Sequence, residues 1–303
     1  MRIKPAHCAL PQTQHMSTLT FPFLRATQKH SDAPQRSSTP DRVLAALPEN
    51  LTAERVLAVE HYTDRLFRFR ITRPAAFRFR AGEFVMIGLR TEDRPLLRAY
   101  SIASPPWDDT LEFYSIIAPS GPLTSRLCHI KPGDEVLMAR KPTGTLVLDA
   151  LTPASRLFLL STGTGFAPFA SLLREPETYT KFEKIIVTHT CREAAELRYS
   201  EDIVNALPEY PLVGEAAALH VMRYATCTRT SCHRSGRVTD LIWSGKMFSD
   251  LGIAPLSPAS DRVMVCGSLP FIHDMQAILN AKNFVEGSNA APADFVVEKA
   301  FVS

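Results

Sequence analysis

A glycine-rich turn in the second half of the chain carries the strongest chemical signal in the sequence. It reads STGTGFAP over residues 161–168, directly after a short apolar run and directly before a helical pattern. Glycines let a backbone approach a ligand closely, and the first N–H groups of a helix bind phosphate. The turn therefore predicts a dinucleotide diphosphate site. Because Ala-Pro stands where the usual fingerprint has its third glycine, a tight connection without a ligand is the alternative.

Two further groups of candidate residues lie in the first half of the chain. Arg98-Ala-Tyr-Ser101 would place a guanidinium and an aromatic ring on one face of a strand and a hydroxyl on the other. This combination suits a phosphate and a planar ring, and an exposed Arg beside a half-buried Tyr is the alternative. Gly121-Pro-Leu-Thr-Ser125 opens a short predicted helix whose free N–H groups suit a second phosphate.

The cysteines favour free thiols over metal ligands or disulfides. A plant-type iron–sulfur loop would add a third cysteine two residues after Cys227-x4-Cys232, and a zinc site would need a fourth ligand at comparable spacing. Neither is present in the sequence, so we expect no metal. Scattered cysteines in a chain of this size indicate a reducing, cytoplasmic compartment. The six are Cys8, Cys128, Cys191, Cys227, Cys232 and Cys266.

Length and charge exclude several classes of protein. A chain of 303 residues has room for two ordinary domains. Residues 1–48 hold six Lys/Arg against two Asp/Glu, and the remainder holds 28 against 29. This nearly neutral body argues against a nucleic-acid binder, whose phosphate contacts need a clustered basic surface. No apolar run approaches the roughly 20 residues of a membrane span.

The pattern of short segments predicts two domains of different class. Over residues 49–150, strands separated by Pro and Gly turns predict an antiparallel β-barrel with one short helix. Over residues 151–303, strands alternating with helices predict a doubly wound α/β domain with a parallel sheet. Residues 1–48 show no lasting periodicity and predict a tail, which is disordered, organelle-targeting or the product of an upstream start. The predicted strands are 55–60, 66–71, 83–89, 99–103, 111–117, 135–139, 156–161, 184–189, 219–224, 261–266 and 295–298, and the predicted helices are 123–129, 168–173, 193–207 and 270–282.

Taken together, these motifs resemble the bacterial branch of the ferredoxin–NADP⁺ reductase family. The shared features are R-x-Y-S, G-x-x-T-S, G-T-G-x-x-P and Val-Cys-Gly, with RPLLRAYSIASP, KPTGTL and a final VEKAFVS. The resemblance runs from about residue 52 to the C-terminus. It implies an FAD-dependent enzyme that exchanges electrons between NADPH and ferredoxin or flavodoxin. An NAD(P)H-dependent flavin, oxygenase or cytochrome reductase is the alternative, and a nucleotide-binding regulatory module is a third.

The resemblance implies roles for matching residues around the flavin. Arg98 would pair with the FAD diphosphate, Tyr100 would stack on one isoalloxazine face, and Ser101 would bond the flavin edge. Ala300 would cover the other face, where plant-type members carry Tyr, and Phe301 would lie near the adenine. The further FAD-binding positions that it implies are Ala99, Gly121, Pro122, Leu123, Thr124 and Ser125.

The resemblance also implies a binding site for NADP. The residues that would cradle the diphosphate are Thr162, Gly163, Thr164 and Gly165. Cys266, followed by Gly267, would lie beside the contact between nicotinamide and flavin. The implied catalytic set is Tyr100, Ser101, Cys266 and Ala300.

Recognition of the 2′-phosphate is the basis for expecting NADP rather than NAD. Arg192 follows the second strand of the α/β half, where a reader of the 2′-hydroxyl would often show an acid. The family's further 2′-phosphate positions match Arg229 and Arg237, and Asp240, in the same GRVTD segment as Arg237, is a further implied cofactor-binding residue. Thr230 replaces the acid that the family usually shows after the Arg at 229. Surface arginines without a ligand are the alternative.

Five arginines on the early strands suggest a docking face for the electron carrier. A basic face would steer an acidic one-electron carrier, and an ordinary solvated barrel face is the alternative. Period-two spacing would put residues 68 and 70 on one strand face and residues 78 and 80 on another. We expect a monomer that binds ferredoxin or flavodoxin through Arg65, Arg68, Arg70, Arg78 and Arg80.

Overall fold

Two β-sheets form the framework of a single compact unit. The structure is a computed structural model, and it describes residues 47–92 and 94–299. Ala300 and Phe301, which the sequence assigns to the flavin site, lie outside the described residues, as does nearly all of the predicted tail.

The first sheet is antiparallel and has six strands in the order β4-β3-β6-β1-β2-β5. A bridge between Ile102 and Phe113 joins the end of β4 to β5, so the sheet curls back on itself toward a barrel. Its apolar side chains point inward, as Phe67, Phe69 and Ile71 do on β2. The strands are β1 Leu51–His61, β2 Leu66–Thr72, β3 Phe84–Leu89, β4 Leu96–Ser101, β5 Thr110–Ile116 and β6 Glu135–Ala139, with helix α1 at Thr124–Leu127.

The second sheet is parallel and has five strands in the order β11-β10-β7-β8-β9. Helices separate the strands along the chain, and strand interiors are buried on both faces, as parallel sheets require. The strands are β7 Arg156–Thr162, β8 Lys184–Cys191, β9 Val221–Cys227, β10 Asp261–Gly267 and β11 Phe295–Lys299. The helices are α2 Ala167–Leu172, α3 Pro176–Lys181, α4 Arg198–Ala206, α5 Gly214–His220, α6 Val238–Trp243, α7 Lys246–Leu251 and α8 Leu269–Ala281.

The strand order places a topological switch point between β7 and β10. From β7 the chain proceeds outward through β8 and β9, and it then returns to the other side of β7 for β10 and β11. Ligands of open α/β sheets bind at such a point, outside the carboxyl ends of the strands. The switch point therefore marks where a ligand site is expected.

A buried polar cluster ties the two sheets together. Glu112 on β5 accepts hydrogen bonds from Tyr199 Oη at 2.8 Å and pairs with Arg174 at 3.4 Å, and both partners belong to the parallel half. From the barrel side, Arg68 pairs with the other Glu112 oxygen at 3.2 Å. The Tyr114 and Tyr199 rings stack with centroids 4.1 Å apart. These contacts fix one sheet against the other.

The structure confirms the predicted fold class and corrects several elements. The predicted strand at 135–139 has the same bounds in the structure, whereas β1 begins earlier and β4 begins at Leu96 instead of residue 99. The predicted helix at 193–207 is divided into a 3₁₀ turn, Ala194–Leu197, followed by α4. Sequence patterns missed four short helices, namely α3, α5, α6 and α7. Arg78 and Arg80 lie in an irregular segment and not on a strand.

Membrane-spanning helices, clusters of metal-ligating side chains and disulfides are absent from the described residues. Within 47–92 and 94–299, no helix is long and apolar enough to cross a membrane. The same residues hold no group of three or more His, Cys, Asp or Glu side chains that could bind a metal ion. All five described cysteines are free.

Candidate functional site

A cavity of about 460 Å³ lies at the switch point, and both sheets contribute to it. The barrel supplies Arg65, Leu66 and Ile116. The parallel half supplies the residues that follow its strands, so the cavity opens at the carboxyl edge of that sheet. Among the residues predicted to bind NADP, the cavity is lined by Thr162, Gly163, Thr164, Arg192 and Arg237.

The glycine turn is shaped by close backbone packing. Gly163 has a φ of +54°, a left-handed conformation that glycine adopts without strain. At Gly165, a Cβ would collide with the carbonyl group of Cys266, so only glycine fits where the turn crosses the end of β10. Thr162 Oγ1 accepts a hydrogen bond from the Ser268 N–H at 3.2 Å and closes the same crossing. The turn and the end of β10 thus pack directly against each other.

The predicted 2′-phosphate residues do not all reach the cavity. Arg192 and Arg237 line it, and Arg237 also pairs with Asp274 at 2.6 Å. Arg229 and Asp240 are exposed outside the lining. The Arg229 N–H donates to the Arg192 carbonyl at 2.9 Å, so their backbones are adjacent.

Thr230 shows what replaces the family's usual acid. Its Oγ1 accepts a hydrogen bond from the Ala194 N–H at 2.9 Å, and this bond ties the loop after β9 to the turn after β8. The hydroxyl thus fixes the local geometry of the loop without a carboxylate.

Sequence reasoning missed several lining residues. Thr190, Glu196, Thr228 and Ser268 all face the cavity. Glu196 accepts hydrogen bonds from the backbone N–H groups of Arg192 at 2.9 Å and Glu193 at 3.2 Å. The positions of the missed lining residues in the sequence could have revealed them, because polar residues near the carboxyl ends of buried parallel strands come together at one edge of the sheet.

Glu298, which the sequence did not indicate as a site residue, lies beside the predicted residue Cys266 at the neighbouring strand ends. Cys266 has no exposed surface, and burial together with Glu298 raises the pKa of its thiol. Glu298 accepts a hydrogen bond from the Thr145 N–H at 3.2 Å. Burial raises the pKa of Glu298 to about 7, and the nearby Glu83 carboxylate adds to the rise. A carboxyl group whose pKa is raised to near neutral therefore lies at the carboxyl end of β11, beside Cys266.

The R-x-Y-S residues lie on β4 with different environments. Arg98 is exposed, its Nη1 donates to the Leu97 carbonyl at 2.8 Å, and no carboxylate within the described ranges pairs with it. Tyr100 is only 8% exposed and packs edge-on against Phe69 and Phe113. Arg98 and Tyr100 thus differ in exposure, although their i, i+2 spacing on β4 agrees with the predicted shared face. The stacking role of Tyr100 stays a prediction.

Two hydroxyl groups complete the surroundings of β4. Tyr100 Oη lies 3.1 Å from Ser115 Oγ, and burial raises the pKa of Tyr100 to about 12. Ser101 is half-buried at the strand end. Tyr100 is therefore a neutral phenol held in the barrel core.

The turn at residues 121–125 is closed by its own side chain. Thr124 Oγ1 accepts from the Ala118 N–H and lies 3.2 Å from the Ala118 carbonyl, to which it donates. Leu123 is buried in the same apolar cluster as Tyr100. Ser125 donates its N–H to the Gly121 carbonyl at 3.1 Å. The threonine hydroxyl shapes the turn, and the diphosphate contact implied for Thr124 and its neighbours stays a prediction.

The arginines predicted to form a basic docking face are mostly neutralised. Arg68 pairs with Glu60 and Glu112, Arg70 pairs with Asp108 at 2.8 Å, and Arg80 pairs with Glu83 at 3.0 Å. Arg78 donates to the carbonyls of Ala75 and Phe77, and Arg65 lines the cavity. Carboxylates of the fold therefore compensate the charges of Arg68, Arg70 and Arg80.

Comparison with known proteins agrees with this geometry. The oxidoreductase FAD-binding domain model matches residues 55–147, and the oxidoreductase NAD-binding domain model matches residues 159–277. A flavodoxin/ferredoxin–NADP reductase of Rhodobacter capsulatus is 55% identical over 266 residues, which cover 88% of this chain and 97% of that protein. The chain belongs to the ferredoxin–NADP reductase family.

Other members of the family show similar agreement in sequence and structure. A ferredoxin–NADP reductase of Pseudomonas aeruginosa is 48% identical over 84% of this chain and 98% of that protein. The crystal structure of a ferredoxin NADP⁺ reductase from Neisseria gonorrhoeae with bound FAD and NADP matches with a TM-score of 0.76 and 28% identity. That match covers 84% of this chain and all of the other.

Proposed function

We propose that this member of the family is an FAD-dependent reductase that exchanges electrons between NADPH and a ferredoxin or flavodoxin. The observation that carries the proposal is the cavity at the switch point, where the FAD-binding and NAD-binding halves meet. We assign the FAD-binding domain to residues 49–150 and the NADP-binding domain to residues 151–303. The short 3₁₀ turn Leu148–Ala150 separates the last strand of the barrel from the first strand of the parallel sheet.

The residues present fit a bound FAD. Arg98 offers an exposed guanidinium with no carboxylate partner in the described part of the chain, which suits a diphosphate. Ala99 is exposed and small, Ser101 is half-buried, and the backbone of residues 121–125 turns nearby around the same core. When bound, FAD accepts a hydride from NADPH and passes electrons singly to a carrier. The protein's own contribution is to hold FAD on the barrel and NADPH on the parallel sheet where the two halves meet.

The cavity also supports NADPH over NADH as the coenzyme. Arg192 and Arg237 line it and carry charges that a 2′-phosphate would meet. The backbone N–H of Arg229 donates to the carbonyl of Arg192, so Arg229 lies beside Arg192 and completes the proposed set of 2′-phosphate residues. Gly163, in its left-handed conformation, and the adjacent Thr164 line the same cavity, and we assign the diphosphate to this end of it.

The carrier would dock near the barrel edge of this cavity. Of the five arginines predicted for docking, Arg65 has no ion pair with another described residue and faces the cavity. Arg78 is exposed and bonded only to carbonyl groups among the described residues. We therefore place the basic contact at these two residues, with Arg68, Arg70 and Arg80 holding the barrel together.

Steady-state reduction of purified carriers tests the proposal. The full-length protein with NADPH should reduce a bacterial ferredoxin or flavodoxin in preference to free flavin. Arg78→Ala should weaken carrier reduction while leaving reduction of a small uncharged dye unchanged, and Arg70→Ala, whose charge is already paired with Asp108, is the control. Reduction of free flavin alone, with no transfer to either carrier, would contradict the proposal.

A further inference from the structure

His189, a residue that none of the motifs includes, lies beneath the glycine turn. It is 1% exposed near the end of β8, and its Nε2 lies 2.8 Å from the carbonyl oxygen of Gly163. Its Nδ1 lies 2.8 Å from Ser200 Oγ on α4. The Phe166 ring packs beside the imidazole with centroids 5.0 Å apart. The side chain is therefore held by a hydrogen bond at each ring nitrogen.

These partners determine where the imidazole carries its proton. A carbonyl oxygen only accepts hydrogen bonds, so Nε2 must carry the hydrogen that faces Gly163. Burial lowers the pKa of His189 to about 4, which leaves the ring neutral near pH 7. In the neutral ring Nδ1 is then an acceptor. Ser200 Oγ lies 2.8 Å both from Nδ1 and from the Leu197 carbonyl, so its one proton serves these two acceptors.

The hydrogen bond from His189 sets the direction of the next peptide N–H. The peptide bonds within residues 47–92 and 94–299 include no cis bond, and in a trans peptide the carbonyl of one residue and the N–H of the next point in opposite directions. Because the Gly163 carbonyl points inward at the imidazole, the Thr164 N–H points away from it. Gly163 and Thr164 both line the cavity, so this donor is directed to the cavity side.

A glycine in this position needs such a constraint. Gly163 has a φ of +54° and no atom within 4 Å of where a Cβ would lie, so side-chain packing does not restrain its peptide. Glycine populates several backbone conformations with similar ease. The hydrogen-bond donor His189 Nε2–H, fixed on the buried face, selects one of these conformations.

We propose that His189 is a positioning residue that holds the Thr164 N–H toward the diphosphate of the bound dinucleotide. This inference rests on the proposed function, because it requires NADP(H) in the cavity. Ser200 fixes the tautomer of His189, so it acts through the histidine.

The test compares equilibrium binding of two ligands to the full-length protein by calorimetry, without turnover. NADP⁺ carries the diphosphate, whereas adenosine 2′-monophosphate carries the 2′-phosphate alone. His189→Phe keeps a ring beside Phe166 but removes the donor, and it should weaken NADP⁺ binding about tenfold, as expected for losing a well-aimed bond to a charged group. Binding of adenosine 2′-monophosphate should change less than about twofold. His189→Gln returns an N–H donor and should restore most of the NADP⁺ affinity.

A second variant covers the case in which His189→Phe does not fold. Ser200→Ala leaves His189 in place but removes the donor to Nδ1, and it should weaken NADP⁺ binding by a smaller factor with no change for adenosine 2′-monophosphate. Unchanged NADP⁺ affinity in the folded variants would overturn the inference, and so would equal losses for both ligands. If the unaltered protein bound neither ligand, the proposed function itself would fail.

Discussion

Replacing Glu112 by Gln is the sharpest structural test of how the two sheets are held together. The side chains of Glu112 and Arg174 are each 4% exposed, and they approach to 3.4 Å. Gln has nearly the same size and keeps an acceptor for Tyr199. It removes the negative charge that compensates Arg174, and it turns a donor toward Arg68 if the amide oxygen stays on Tyr199.

The expected cost follows from the burial of the pair. Breaking a buried ion pair on one side costs about 3–5 kcal/mol, because the remaining charge is left uncompensated. For a chain of this size each kcal/mol lowers the melting temperature by about 2–4 °C, so the loss is roughly 6–20 °C. Glu60 is the matched control, since it pairs with the same Arg68 at 2.8 Å but is 42% exposed. Glu60→Gln should cost about 1 kcal/mol or less.

Urea unfolding of both variants at neutral pH provides the measurement, with the unfolding slope checked for two-state behaviour. A large loss for Glu112→Gln and a small one for Glu60→Gln support the cluster as the tie between the sheets. Equal losses would refute the reasoning, because exposure would then not decide the cost.

Three further predictions concern the site. Arg237→Ala should raise the Michaelis constant for NADPH about tenfold or more, as expected for a lost charge-assisted bond. It should leave that for NADH nearly unchanged, and equal losses in steady-state kinetics would contradict the assignment. Gly165→Ala should cost about 3 kcal/mol of folding stability, because its Cβ would overlap the Cys266 carbonyl, whereas Gly163→Ala should cost about 1 kcal/mol; denaturation in which Gly163→Ala proved the more damaging would count against this packing. Since Glu298 has a pKa of about 7 in the fold against 4.5 as its ordinary value, stability should fall as the pH rises from about 4.5 through 7. Glu298→Gln should remove that fall and be more stable by on the order of 2 kcal/mol at pH 8, with no difference at pH 4; a difference that persisted at pH 4 would have another cause.

Local patterns were enough to predict the two sheets and helices α1, α2, α4 and α8, but they missed α3, α5, α6 and α7. Alternation on β2 and the apolar runs of β7 and β10 are direct consequences of which faces are buried, so they are visible in sequence. Helices α5, α6 and α7 have seven residues or fewer. Segments this short show less than two turns of periodicity, which is too little to detect.

The site was predictable where backbone chemistry determines it. Gly163 and Gly165 are required by a left-handed turn and a close crossing, and both requirements leave a mark in the sequence. His189 and Glu298 could not be found in this way. Their roles depend on contacts with Gly163 and Thr145, which are distant in sequence and meet only in the folded chain.

Charge patterns were the least reliable guide. The clustered arginines of the early strands predicted an open basic face, whereas the structure pairs Arg68, Arg70 and Arg80 with carboxylates. Those carboxylates are contributed in part by other strands and turns, as Glu112 and Asp108 are. A count of local charge therefore cannot show which of them remain available to a partner.

An anaerobic titration of the purified full-length protein with NADPH, followed by visible absorption, shows whether the chain binds FAD and whether NADPH reduces it. We expect flavin bands in a ratio of about one flavin per chain, bleached by about one equivalent of NADPH and far less readily by NADH. A protein that binds no flavin when FAD is supplied, or whose flavin bands persist in excess NADPH, would contradict this expectation.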